Sequence, residues 1–175
     1  MALSTWLTPA RKTTLVWIAA GAGLFAVAAT LAFLLWPPVP PPPHSGTRLT
    51  TAILLLRYPT ILLAAMVASL FRILDSSEGA LDPVSGTPSR RHQINQRVLT
   101  NTIEQLVLFI PALLSLAIRA HEPSTFRFVP MAVALFCLGR VLFWFGYHVS
   151  PNARGLGFNM TISTSIFALV ASFFV

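Results

Sequence analysis

The sequence predicts an all-α integral membrane protein, a four-helix transmembrane bundle with one extra transmembrane helix at its N-terminus. Composition is the first reason. Of 175 residues, 55% are apolar and 10% charged, against roughly 25% charged in soluble domains. One soluble core of this size does not bury so much apolar surface. Pattern is the second: five apolar runs are separated by short polar connectors. Charge placement is the third, because the basic residues flank those runs singly or in pairs, as orientation signals do. The net charge of +7 therefore points to membrane surfaces and not to nucleic acid, whose sites gather basic groups on one polar face.

The first run, Thr14 to Trp36, reaches about 34 Å as a helix and spans a hydrocarbon core of roughly 30 Å. Arg11 and Lys12 precede it. Residues 1–36 read as an anchor helix; a cleaved signal peptide is the rival, since Ala26-Val27-Ala28 has the small-x-small pattern. Residues 37–46 follow, with six prolines in the first seven positions. They read as a stiff polyproline II linker. Residues 47–175 form the main membrane domain. Its first run, Thr50 to Leu74, is interrupted by Arg57, Tyr58 and Pro59. Either Pro59 kinks the helix or residues 47–58 lie at the interface.

Asp75 to Gln96 reads as the one substantial polar loop, with Asp75, Glu78, Asp82 and the pair Arg90-Arg91. Val98 to Ile118, Phe128 to Tyr147 and Leu156 to Val175 complete the spans, joined by short connectors that imply antiparallel neighbours. With the N-terminus inside, Arg11, Lys12, Arg72, Arg90, Arg91, Arg97, Arg140 and Arg154 fall on the inner side. Arg48, Arg57, Arg119 and Arg127 fall on the outer side. The positive-inside rule then places the polar loop and the 148–155 connector in the cytoplasm.

Polar residues inside a span are functional candidates, because an unpaired buried charge is expensive. Arg97, Asn101 and Glu104 stand at i, i+4 and i+7 and share one helix face. That face is read either as a site or as a network holding helices together. Arg140, Phe143, Trp144 and Tyr147 share a face of the next span, with Arg154 one short turn beyond. Arg140 lies inside its run and calls for an anion, either Glu104 or a ligand. His44, His92, His121 and His148 sit in loops or at span ends, so no histidine pair is placed to ligate haem. No metal-ligand cluster is evident. Cys137 excludes an intrachain disulfide by being the only cysteine and reads as a packing residue.

The order Arg97-x3-Asn101-x2-Glu104, then Arg140-x2-Phe143-x3-Tyr147-x6-Arg154, resembles the MAPEG family, the membrane-associated proteins of eicosanoid and glutathione metabolism. Asn101 to Gln105 and Gly139 to Tyr147 look most like bacterial members, and the resemblance covers roughly residues 50–175. It implies a four-helix bundle that assembles as a homotrimer in the bilayer, with glutathione as co-substrate between neighbouring subunits near the cytoplasmic face of a bacterial inner membrane. It implies that Arg97, Asn101 and Glu104 hold the tripeptide's charged ends, with Arg140 and Tyr147 assisting and Arg72 reaching in from a neighbour. Arg154 matches the arginine that stabilises the thiolate. The second substrate would be a lipophilic small molecule, either an electrophile or a lipid hydroperoxide.

The chain departs from the family pattern at three positions. Gln105 and Phe143 each stand where a tyrosine occurs, and Leu99 where a glutamine occurs, so each loses a potential hydrogen bond to glutathione. Two other readings follow from the residues. One is a non-catalytic member of the fold that binds lipid or scaffolds partners. The other is a small transporter subunit using Glu104 and Arg140 as a buried relay.

Overall fold

The computed structural model describes residues 8–71, 86, 88–150 and 152–175. Its described residues form seven helices and no strand: α1 (Pro9–Leu35), α2 (Ser45–Leu55), α3 (Arg57–Ala68), α4 (Arg90–Arg119), α5 (Pro123–Phe126), α6 (Phe128–Val149) and α7 (Arg154–Ala171). Among the described residues, four segments are long and apolar enough to cross a membrane: Arg11–Leu35, Ser45–Ala68, Arg90–Arg119 and Pro123–Val149.

The expected fifth span, α7, is shorter and more polar than the other four. Its 18 residues reach about 27 Å, and they include Asn159, Thr161, Ser163, Thr164 and Ser165. These polar groups are tolerable because α7 packs on three other helices, α6, α1 and α4. Three of its hydroxyls satisfy themselves locally. Thr161 donates to the Gly157 carbonyl (2.6 Å), Thr164 to Met160 (2.8 Å) and Ser165 to Thr161 (3.1 Å).

Around Arg57 the chain forms two successive helices within one stretch, Ser45–Ala68, that is long and apolar enough to cross a membrane. Leu56 separates α2 from α3, and Pro59 falls in the first turn of α3, where a missing N–H has no helical acceptor to lose. The third span starts earlier than its hydropathy suggests. Ser89 accepts from the His92 amide (3.2 Å) and caps a helix that begins at Arg90, so residues 90–96 are helical rather than loop. Serine is a favoured cap for the reason shown here, its oxygen occupying an otherwise orphaned N–H.

Two arginines at the far end of the bundle close helix C-termini, which leave carbonyls unsatisfied. Arg48 Nη2 donates to the Ile118 carbonyl (2.9 Å), and its Nη1 to those of Pro42 and Pro43 (3.1 and 3.3 Å). Arg127 Nη1 donates to Phe33 and Trp36 (3.2 and 3.3 Å) and stacks over the Phe33 ring at 3.8 Å. The proline-rich segment is thereby tethered, and Val39 also donates its amide to the Pro123 carbonyl (3.1 Å).

The core lies between α4, α6 and α2, centred on Phe109 stacked against Phe136 with centroids 4.2 Å apart. A ring of exposed Leu, Val, Ile and Phe side chains, Val107, Leu138, Phe145 and Ile166 among them, covers the outside. α6 and α7 approach through glycine. A Cβ on Gly157 would overlap the backbone of Phe143 and Gly139, and one on Gly139 would lie 2.8 Å from the Thr161 hydroxyl. Only hydrogen at these positions allows the two backbones to touch, and their contact places Thr161 beside Arg140.

Candidate functional site

The start of α4, the end of α6 and the start of α7 meet at the same end of the bundle as the start of α1. The two polar faces expected from the sequence come together there. Arg140 is fully buried. Its Nη1 donates to Asn101 Oδ1 (3.0 Å), while Nε and Nη2 donate to Thr161 Oγ1 (2.9 and 2.6 Å) and Nη2 also to the Gly157 carbonyl (3.5 Å). On the other side, Asn101 Nδ2 donates to Glu104 Oε2 (3.3 Å). Arginine is donor-only and carboxylate acceptor-only, so just one amide orientation serves both.

Asn101 thus bridges a buried cation and an exposed carboxylate. Arg140 does not pair directly with Glu104: its hydrogen bonds go to three neutral oxygens, Asn101 stands between it and the carboxylate, and Phe143 lies under its guanidinium at 4.6 Å. Oriented dipoles and a ring face surround the buried cation. Arg140 positions Asn101 from behind the site.

A cavity of about 680 Å³ opens at this end, within the range of roughly 300–1,000 Å³ of small-molecule sites. Arg97, Asn101, Tyr147 and Arg154 line it, with Asn152 and Asn159 beside them. Glu104 faces an adjoining groove that shares Arg97 and Asn101 with the cavity and adds Gln93, Gln96 and Thr100. Arg154 Nη1 donates to the Tyr147 hydroxyl oxygen (2.7 Å), with its guanidinium 4.7 Å from the Tyr147 ring centre. Gly146 makes that pairing reachable, because a Cβ there would lie 2.8 Å from the Ala153 carbonyl oxygen and push the connector away. Arg72 lies outside the described residues.

Two of the three departures from the family pattern pack in an apolar cluster. Phe143 is buried with Met66 and Val98, and Leu99 packs against the same cluster. Gln105 is buried, and its Oε1 has no hydrogen-bond partner among the described residues. It lines neither the cavity nor the groove.

Sequence reasoning missed several residues. Asn95, taken as loop, is buried on α4, and its Oδ1 accepts from Trp144 Nε1 (3.0 Å) and lies 2.9 Å from His148 Nε2. Since Oδ1 is an acceptor, His148 carries its proton on Nε2. Asn152, Phe158 and Asn159 line the cavity from α7 and its approach, and Thr14, Trp17 and Ile18 line it from α1. The i, i+4 pair of Gly157 and Thr161 was the available signal on α7; nothing in the sequence marks the α1 residues.

The positioning role of Arg140 is testable. Arg140→Leu is expected to retain the fold, because Thr161 still donates to Gly157 and half-exposed Asn101 still reaches solvent. Any ligand held by Asn101 should bind about tenfold more weakly, which is 1.4 kcal/mol. In an Asn101→Leu background the same change should cost almost nothing, the non-additivity expected of groups acting through one another.

The arrangement combines two guanidinium groups, a phenol, amides and a nearby carboxylate, a set suited to a small zwitterion carrying carboxylates and an ammonium group. A family model for the MAPEG family matches residues 49–174. No curated protein and no solved structure matches the chain significantly. At the level of that family, the match supports a membrane protein of glutathione or lipid metabolism. An all-helical, multi-pass membrane chain whose matched region takes in α3 to α7 and the larger part of α2, the chain belongs to the MAPEG family.

Proposed function

We propose that the chain is a glutathione-dependent membrane transferase or peroxidase acting on lipophilic electrophiles or lipid hydroperoxides. The convergence of Arg97, Asn101, Tyr147 and Arg154 on one cavity, with Glu104 in the adjoining groove, carries the proposal. Arg97 and Glu104 suit the carboxylate and ammonium ends of the tripeptide. Arg154 serves the sulfur. A free thiol with a pKa of about 8.5 is mostly protonated at neutral pH, and the thiolate is the nucleophile. A neighbouring cation favours the thiolate. Tyr147 accepts from Arg154 through its oxygen and so keeps its own proton to donate to the same sulfur.

In conjugation, the thiolate sulfur attacks an electrophilic carbon, forming the C–S bond while the leaving group departs with its electron pair. With a hydroperoxide, the sulfur attacks the O–O bond, releasing the alcohol and leaving a sulfenic acid. A second glutathione converts that acid to the disulfide and water. The proposal includes a homotrimer in the bilayer, with the N-terminus and the site on the cytoplasmic side of a bacterial inner membrane. Basic residues at the site end, Arg11, Lys12, Arg90 and Arg91, support the orientation.

Purified protein in detergent is expected to consume glutathione with a lipophilic electrophile or a lipid hydroperoxide at a rate well above the protein-free reaction. Saturable binding without turnover would favour the non-catalytic reading. The apolar Phe143 and Leu99 are the observation behind that alternative.

A further inference from the structure

The N-terminal helix lies outside the region matched to the family, yet it is seated on the bundle along its length. Near the site end, Gly21 is buried against α7, where a Cβ would come 2.7 Å from that of Asn159. Midway, Phe25 meets Phe167 with ring centres 6.5 Å apart. At the far end, Phe33 stacks on Phe128 at 6.1 Å and lies under Arg127. A glycine contact followed by two aromatic pairs and a capping arginine fixes both the height and the rotation of α1. A plain tether would need none of them.

That seating has a consequence for the cavity. α1 packs on α7 and α6, and α4 packs on the same two helices. The cavity lies in the gap between them. Its polar lining is Arg97, Asn101, Tyr147 and Arg154, with Thr14, Asn152 and Asn159; its apolar lining is Trp17 and Ile18 of α1 with Phe143 and Phe158. Phe143 and Phe158 face each other with centres 6.4 Å apart. Trp17 lies beside Gly155, where an added Cβ would make ordinary contact with Trp17 Cβ at 3.7 Å.

We infer that α1 completes an acceptor subsite within the single chain. Trp17 and Ile18 form the apolar wall that takes the lipophilic group destined for the sulfur, while Arg97, Asn101, Tyr147 and Arg154 hold the peptide part. This rests on the glutathione reading proposed above. The ligand class is a flat or chain-like apolar group borne next to an electrophilic carbon or a peroxide. An amphipathic conjugate meets the polar and the apolar lining at once, whereas glutathione alone uses the polar lining. Trp17 offers a large rigid surface at small entropic cost, as aromatic anchors do.

The test compares glutathione with S-hexylglutathione, a stable conjugate-like probe, on the full chain in detergent. Wild-type protein should bind the S-hexyl compound about tenfold or more tighter than glutathione. Trp17→Ala should erase most of that difference and leave glutathione affinity within about twofold. Gly21→Leu should do the same by a different route, since its side chain wedges α1 away from Asn159. The two variants together guard against an effect of Trp17→Ala on folding alone. Equal weakening of both ligands, or no change in either, would overturn the α1 subsite while leaving the glutathione reading intact. If wild-type protein binds neither compound, the glutathione reading fails and the subsite with it.

Discussion

Arg154→Ala is expected to lower glutathione-dependent turnover at neutral pH about 100-fold, the scale of losing one preorganised electrostatic group. Arg154 lines the cavity and is held against the Tyr147 hydroxyl at 2.7 Å, so its charge has a fixed place. The loss should fall on the reaction and not on binding, because Arg97, Asn101 and Glu104 remain. The pH profile carries the sign of the effect. A cation beside the sulfur lowers the thiol pKa, so wild-type activity should already be near its plateau at pH 7. Without the cation the thiol returns toward about 8.5. The variant's rate should then climb with pH, close to tenfold per unit, until that range is passed. Stopped-flow or steady-state rates from pH 6 to 9 check this. A variant with wild-type rate and a flat profile would remove Arg154 from the chemistry.

Gly157→Ala is expected to cost about 3 kcal/mol or to prevent folding, the upper end of what one methyl group does in a packed interior. The new Cβ would overlap backbone atoms of Phe143 and Gly139, and backbone has nowhere to go without moving a helix. Separation of α6 from α7 would also withdraw Thr161 from Arg140, leaving a buried guanidinium with Asn101 as its remaining side-chain acceptor. Thermal unfolding in detergent measures the cost. Gly23→Ala is the control, since no atom lies within 4 Å of a Cβ there, and it should leave the midpoint unchanged.

The contrast between these two residues shows what was readable in the chain alone. Arg154, Arg97, Asn101 and Glu104 announced themselves because charges and amides beside apolar spans need partners, and helical spacing says which of them share a face. The bond from Arg140 to Asn101 confirms that the two faces meet. Gly157 and Thr161 carry no charge, and their importance comes from a close approach that only tertiary packing defines. Asn95 was hidden for another reason. Hydropathy marks where a helix leaves lipid, whereas hydrogen bonding marks where it ends, so α4 continues to Arg90 through polar residues. The identity of Arg140's partners was also beyond the sequence, because dipoles from Asn101, Thr161 and Gly157 came from two other helices. α1 read as an anchor; its seat on α7 rests on Gly21 against Asn159 and Phe25 against Phe167, contacts that only tertiary packing defines.

The central claim is that the cavity walled by α4, α6 and α7 holds glutathione through its charged ends. Calorimetric titration of glutathione into the purified chain, beside Arg97→Ala and Glu104→Ala, tests it most directly. The account predicts saturable binding to wild-type protein, weakened about tenfold or more in each variant while the helical spectrum is retained. Absence of saturable binding in folded wild-type protein, or binding indifferent to both substitutions, would contradict it.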